Sequence, residues 1–551
     1  MNDTPQARQH EDAHDTEQTP LLRETGNAQE PHRTAEPDAN ELSNARLSAV
    51  FGSIWVILNS PHSVLRYSTI VATLTAVIST SFSSFNNLSW FGTAYLVGTA
   101  ATQPLAGRWT DIYGRREGLI VAGIVFGIGT LLCGLATQEW VFILGRAVAG
   151  AGGGATTATS TFVGADLVPL RRRGVVQGIN NIAMGCGTGL GGLVGGLFSK
   201  WFGWKMAFLV QLPFVILGLV LCAVVSDIPS RPAKEDHEAR IDDGRRLDYA
   251  GSVTLVLAIV LLLVGLNAGG NQVAWSHPLV WSTMALAVIF FALFLYIELH
   301  CATQPIIPLG LLLHRTVWSG CLTYFFAHMA AFATMYYIPI YLQVRGSDPT
   351  HASLRFIPQS IGTAIGAYGT GLLIKATGNY VYLSAAAHFF LVAASALAAT
   401  LHGETASWCP FLYLGMMGLG FGAMLVTTML ALISSVEHSE HAVVTSASFT
   451  FRAIGSSTGI TVASAVFQNT LIRGLHRRLG DGENIDELTE RIRRNLDVIW
   501  ELDPPTRSAV QDGYMESLRY VFVTILIMSA VSMASSLVMR QNKLHNNLSR
   551  R

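Results

Sequence analysis

Long uninterrupted apolar runs constrain this chain more than any other feature. They lie near residues 88–106, 119–137, 140–165, 175–199, 206–226, 249–269, 278–299, 317–342, 356–376, 380–401, 409–433, 443–467 and 518–539. A helix needs about 20 apolar residues to cross a bilayer. Only helices and closed barrels satisfy their own backbone groups there, and runs of this length without strict alternation predict helices. An all-α membrane protein is therefore expected. The charge content agrees: 13% of the 551 residues are charged, against about 25% in a soluble domain.

A first span must precede these runs. Residues 47–60 and 68–82 are each too short to cross alone, and Pro61, His62 and Arg66 stand between them. Taken as one irregular helix, they bring the expected number of spans to fourteen. The preceding stretch, 1–46, is polar and lacks the apolar core of a signal peptide, so it reads as a disordered cytosolic tail. With that tail inside, the basic clusters Arg115–Arg116, Arg171–Arg172–Arg173 and Arg245–Arg246 fall on cytosolic loops, as the positive-inside rule requires.

An internal repeat divides the chain. Gly107 and Gly114 flank a charged loop at a spacing of seven, Gly371 and Gly378 flank GLLIKATG at the same spacing, and Lys375 takes the place of Asp111. Duplicated halves are a transporter signature. The expected organisation is an N-terminal half over 47–227, a cytosolic linker with two inserted helices over 228–315, and a C-terminal half over 316–540. The last would carry a long non-cytosolic loop near 470–517, followed by a cytosolic tail over 541–551.

Several functions are disfavoured at this stage. Net charge is zero, so no global field recruits nucleic acid. The six cysteines are scattered singly with no metal-ligand spacing, so they read as small apolar residues and no metal or other cofactor is expected. No G-x-x-x-x-G-K-S/T loop exists to cradle ATP, and GAGGGA at 150–155 follows no strand, so it reads as helix packing rather than a dinucleotide fingerprint. A non-enzymatic protein driven by an ion gradient, or passive, remains.

The charged loop GRWTDIYGRRE, 107–117, closely resembles the G-x-x-x-D-x-x-G-R-K/R motif of the major facilitator superfamily. The resemblance implies that Gly107, Asp111, Gly114, Arg115 and Arg116 form a conformational switch whose charges reach helix ends of the other half. Arg146, inside the apolar helix FILGRAVAGAGGG, marks a functional site because charge is expensive there. It resembles the superfamily's second motif, which implies a part in proton coupling. Gly178, Gly187, Gly191, Gly195 and Gly196 keep the spacing of the antiporter motif, with Gly191-Gly192 where the superfamily usually has Gly-Pro.

STIVAT at 68–73, LSWFGTAYL at 88–96, RLDYAGS at 246–252, TQPIIPL at 303–309 and SFTFRAIGSSTG at 448–459 together resemble the fungal drug:proton antiporter branch that includes vacuolar basic amino acid transporters. Relatives in that branch carry an Asp just before the TIVAT block, where this chain has Tyr67 and Ser68. Residues 55–67 also look unlike the branch.

Tyr324, His328, Tyr336 and Tyr337 offer rings for a cationic solute, although aromatic residues here also serve packing. Of these, Tyr324 and Tyr337, with Arg452 on another span, are the candidate substrate contacts. In the tail, Glu17, Leu21 and Leu22 fit the acidic dileucine sorting pattern read by vesicle-coat adaptors. The expected function is proton-coupled antiport of a basic amino acid into the vacuole. The alternatives are a plasma-membrane exporter of drugs or toxins, and a non-transporting membrane sensor on the same fold.

Overall fold

The computed structural model describes residues 88–167, 201–225, 248–269, 275–301, 309–347, 355–403, 405–437, 440–480 and 498–542, with Leu74, Ile78, Ser81, Phe82, Val273, Leu488 and Arg491. The expected spans over 47–82 and 175–199, apart from the four residues just named below 88, lie outside them, as does the tail. Every other expected span falls on a helix. Among the described residues the only β feature is an isolated bridge between Gly269 and Val273.

The N-terminal half contains α1 (Leu88–Tyr113), α2 (Arg115–Leu135), α3 (Glu139–Leu167), the short α4 (Trp204–Leu209) and α5 (Leu212–Val225). Two further helices follow, α6 (Tyr249–Ala268) and α7 (Pro278–His300). The C-terminal half contains α8 (Leu309–Leu312), α9 (Arg315–Val344), α10 (Ile357–Thr377), α11 (Val381–Ala399), α12 (Cys409–Ser434), α13 (His441–Leu479), α14 (Val498–Glu501) and α15 (Pro504–Ser536).

Local chemistry fixes many of the boundaries. Gly114, at φ 104°, ends α1 and starts α2, and Gly378, at φ 73°, closes α10 in the left-handed region. Both are conformations that glycine adopts without a Cβ penalty. The Asp248 carboxylate caps α6 by accepting from the Gly251 amide at 2.7 Å, and prolines stand in the first turns of α7, α10, α12 and α15, where no amide donor is missed.

Seven described helical segments are both long and apolar enough to cross a bilayer: α2, Trp204–Val224 across α4 and α5, α7, α9, α11, α12 and α15. Helices α1, α3, α10 and α13 are equally long but richer in Gly, Ser and Thr. Those residues let backbones touch. A Cβ on Gly150 of α3 would lie 2.1 Å from the Tyr95 carbonyl oxygen of α1, and one on Gly152 would lie 2.3 Å from the Phe126 nitrogen of α2. GAGGGA is therefore a two-sided packing seam, held further by Thr102 Oγ1 donating to the Ala151 carbonyl at 2.8 Å.

The C-terminal half repeats the device. Cβ atoms on Gly418 and Gly422 of α12 would each lie 2.1 Å from backbone oxygens of α10, those of Gln359 and Thr363. Small residues four apart are the usual means of close approach between helices in membranes. Four residues before Gly150 stands Arg146, whereas four before Gly418 stands Leu414.

The inserted helices dock where the halves meet. Leu255, Ile259 and Leu263 of α6 cluster with Val97 and Ala100 of α1, Phe294 of α7 and Ala453 of α13. Helix α7 is the most exposed of the described apolar spans, with Val288, Ile289 and Phe291 on its open face, whereas α12 is almost wholly enclosed. On α2 the exposed Val121, Ile124, Ile128, Leu131 and Leu135 form one lipid-facing stripe.

Two stretches expected as loops are helical over most of their described residues. Helix α1 continues through Gly107 to Tyr113, because nothing breaks it before Gly114. The stretch 470–517 carries the end of α13 and the start of α15. Leu471 and Leu475 pack with Val510, Tyr514 and Ile499 there, and Glu516 accepts from Arg478 at 2.7 Å and Arg477 at 3.4 Å.

Candidate functional site

The charged motif forms the turn between α1 and α2. Arg115 is nearly buried and donates to Thr110 Oγ1 at 2.5 Å, with its guanidinium 5.2 Å from the Phe162 ring centroid on α3. Arg116 donates to the Ala223 carbonyl of α5. These contacts tie the turn to the ends of α3 and α5, within the N-terminal half. Gly118 lets the turn close, since a Cβ there would meet Thr110 Cγ2 at 2.3 Å. The Asp111 backbone belongs to α1; its side chain lies outside the described set.

Arg146 is fully buried, at 0% exposure. Its Nε donates to the Phe91 carbonyl of α1 at 2.8 Å, and its guanidinium lies 4.7 Å from the Tyr95 ring centroid. An arginine in hydrocarbon is costly, and a π-face plus a carbonyl replaces part of the lost hydration. The next residue along α1, Gly92, faces the other half: a Cβ there would sit 2.6 Å from the Tyr336 hydroxyl of α9. Arg146 thus fixes the stretch of α1 on which the C-terminal half rests.

A second buried cluster lies in the C-terminal half. His328 Nδ1 is 2.8 Å from the Tyr324 carbonyl, one turn earlier on α9. A carbonyl only accepts, so Nδ1 carries the proton and Nε2 offers a lone pair. Arg452 of α13 donates its Nε to that lone pair at 3.0 Å. The Arg452 guanidinium is flanked by the rings of Phe449 at 4.7 Å and Tyr324 at 5.1 Å. Among the described residues no acceptor meets its two terminal nitrogens, and the side chain is half-buried. The Tyr324 hydroxyl donates to the Leu425 carbonyl of α12 at 2.8 Å, anchoring the ring.

Helices α13 and α9 approach closely enough for this contact because Gly455 and Gly459 face the carbonyls of Phe325 and Met329, which Cβ atoms would meet at 2.3 and 2.4 Å. Of the three substrate candidates, the structure brings Tyr324 and Arg452 together and sets Tyr337 apart. The Tyr337 ring packs tilted against Phe467, centroids 5.4 Å apart, in a row of rings that continues to Tyr514. His328 emerges as the centre of the group. Its i, i+4 spacing from Tyr324 was visible in sequence, whereas its pairing with Arg452 was not. Gly187, Gly191, Gly195 and Gly196, and the sorting residues Glu17, Leu21 and Leu22, lie outside the described residues.

Two helical halves joined along α1, α6 and α13, with an arginine held over a tyrosine ring in each, define an integral membrane transporter of small molecules. The chain belongs to the Major Facilitator Superfamily, whose sequence profile matches residues 63–460. It is 30% identical over 93% of its length to the vacuolar membrane amino acid uptake transporter fnx2 of Schizosaccharomyces pombe, covering 88% of that protein. It is 34% identical over 88% of its length to the multidrug resistance protein fnx1 of the same organism, covering 91% of it. Among solved structures it resembles the human organic anion transporter MFSD10, with TM-score 0.58 at 14% identity over 88% of this chain and 100% of that one. A bacterial homologue of the lysosomal transporter Spinster gives TM-score 0.57 at 17% identity, over 90% and 97% of the two chains. At those identities the likeness concerns the fold alone.

Proposed function

We propose that this transporter exchanges protons for a basic amino acid and loads it into the vacuole. The observation that carries the reading is the half-buried Arg452, whose guanidinium fork has two nitrogens with no described protein acceptor. A planar fork suits the paired oxygens of an α-carboxylate, a group that lipophilic cationic drugs lack. The half-buried Tyr336 offers a π-face to a cationic side chain. The name of the fnx2 relative supports an amino acid substrate and a vacuolar address. That of fnx1 supports the second reading, drug export.

The test is uptake by the purified chain in proteoliposomes with an acidic lumen. Radiolabelled L-arginine and L-lysine are expected to accumulate and to dissipate the pH gradient as they do so. Movement of a lipophilic cation without either amino acid would favour the drug exporter.

The address is proposed to reside in Glu17, Leu21 and Leu22. An acidic residue followed by paired leucines in a polar tail suits a peptide groove with a basic rim and two apolar pockets. Replacing Leu21 and Leu22 by Ala is expected to move a fluorescently tagged protein from the vacuolar membrane to the cell surface, with uptake by isolated vesicles unchanged. A wild-type protein already at the cell surface would refute the vacuolar address.

A further inference from the structure

We propose that His328 carries the exchanged proton, and that its protonation on Nε2 releases Arg452 from the orientation in which it grips the solute carboxylate. The proposal rests on the proton-exchange reading above and identifies where the proton sits.

The chain leaves few other places for it. Between residues 47 and 225 the only carboxylates are Asp111, Glu117, Glu139 and Asp166, all near helix ends. Helices α9, α10, α11, α12 and α13 contain no Asp or Glu at all, and Glu298 lies two residues from the end of α7. Imidazole is the side chain that ordinarily exchanges a proton between about pH 5 and 8.

The groups around His328 come from four helices. On its own helix the ionisable neighbours are Cys321 and Tyr324, whose ring centroid lies 5.8 Å from that of His328. From α12 it meets Phe421 at 5.1 Å; the ionisable Tyr413 of that helix is instead bonded to Thr334 at 2.9 Å. Helix α15 contributes Ser532, which donates to the Thr323 carbonyl at 2.9 Å, and α8 brings no ionisable residue. From α13 comes Arg452. No anion among these groups would compensate an imidazolium.

The chemistry follows from one lone pair. With His328 neutral, Nε2 accepts from Arg452 Nε and leaves the two terminal nitrogens for a carboxylate. A proton on Nε2 turns the acceptor into a donor and sets two cations 3.0 Å apart. Arg452 must then swing away, and the carboxylate loses its partner. Proton and solute become mutually exclusive, which is the requirement for antiport. An acidic lumen would protonate His328 and release the solute there; a near-neutral cytosol would remove the proton and restore binding.

The test separates coupling from binding, using full-length protein in proteoliposomes and L-arginine as the probe. His328→Gln retains an acceptor for Arg452 but cannot be protonated. It is expected to lose pH-driven accumulation at least tenfold more than it loses L-arginine exchange at equal pH. That exchange should no longer fall as the pH is lowered from about 7.5 to 5. His388, buried on α11 and bonded at 2.8 Å to the Ser384 carbonyl, supplies the control: His388→Gln should retain coupling.

Wild-type accumulation by a monodisperse His328→Gln would overturn the proposal, as would loss of exchange and accumulation together. If that variant does not purify, His328→Asn is judged by the same criteria. The wild type gives an independent readout, because adding L-arginine to the detergent-solubilised protein in weak buffer should release protons; no release would overturn the proposal. A wild type that exchanges L-arginine without ever accumulating it refutes proton exchange itself, and this inference with it.

Discussion

Gly150→Val is expected to prevent the protein from folding, seen as loss of the monodisperse peak on size-exclusion chromatography in detergent. The Cβ would fall 2.1 Å from the Tyr95 carbonyl oxygen, and behind it lies helix backbone rather than a movable side-chain tip. Relief requires α1 and α3 to separate. That would break the Thr99–Gly150 and Thr102–Ala151 bonds at 3.1 and 2.8 Å and draw Arg146 away from the Phe91 carbonyl. Overpacking a tight core by a methylene typically costs about 1–3 kcal/mol, and a branched side chain against backbone exceeds that range. Gly369 on α10, where a Cβ meets nothing within 4 Å, provides the matched control: Gly369→Ala should purify like wild type.

Arg146→Ala is expected to remove pH-driven L-arginine accumulation, with at least a tenfold fall in initial rate, while the protein still reaches the membrane. The substitution deletes a cation–π contact, about 2 kcal/mol when desolvated, and a charged hydrogen bond of about 1.5–3 kcal/mol. Both act on the part of α1 that the Tyr336 hydroxyl touches from the other half. Arg146→Lys keeps a cation above Tyr95 but has no Nε fork to reach Phe91. Its rate should be intermediate. Undiminished gradient-driven transport by the alanine variant would exclude the coupling role.

The positions and order of the spans were legible because they depend on local quantities: the length of apolar runs and the glycines and prolines that end them. Gly114 and Gly378 announced the matching turns of the two halves, and the GAGGGA run announced a helix seam. The same locality explains where the reading stopped short. Residues 107–113 carry charge and begin with a glycine, so they resembled a loop, but the stretch contains no residue that forbids helical dihedrals. The arms of α13 and α15 were missed because their apolar residues, Leu471, Leu475, Val510 and Tyr514, are too sparse to read as a span and find one another only in space.

The sequence by itself determined that the chain is a helical membrane protein of the Major Facilitator Superfamily, and it singled out Arg146 and the turn at Asp111 as candidate site charges. Only the tertiary structure decided which side chains act together. His328 and Arg452 are 124 residues apart, Arg146 finds its carbonyl 55 residues away, and Tyr337, on the same helix as Tyr324, meets Phe467 rather than Arg452. The physical reason is that hydropathy scores a lipid-facing leucine and a buried one alike. Run length therefore records that a helix crosses the membrane, whereas its rotation and its neighbours are set by glycine seams and side-chain shapes spread along the chain.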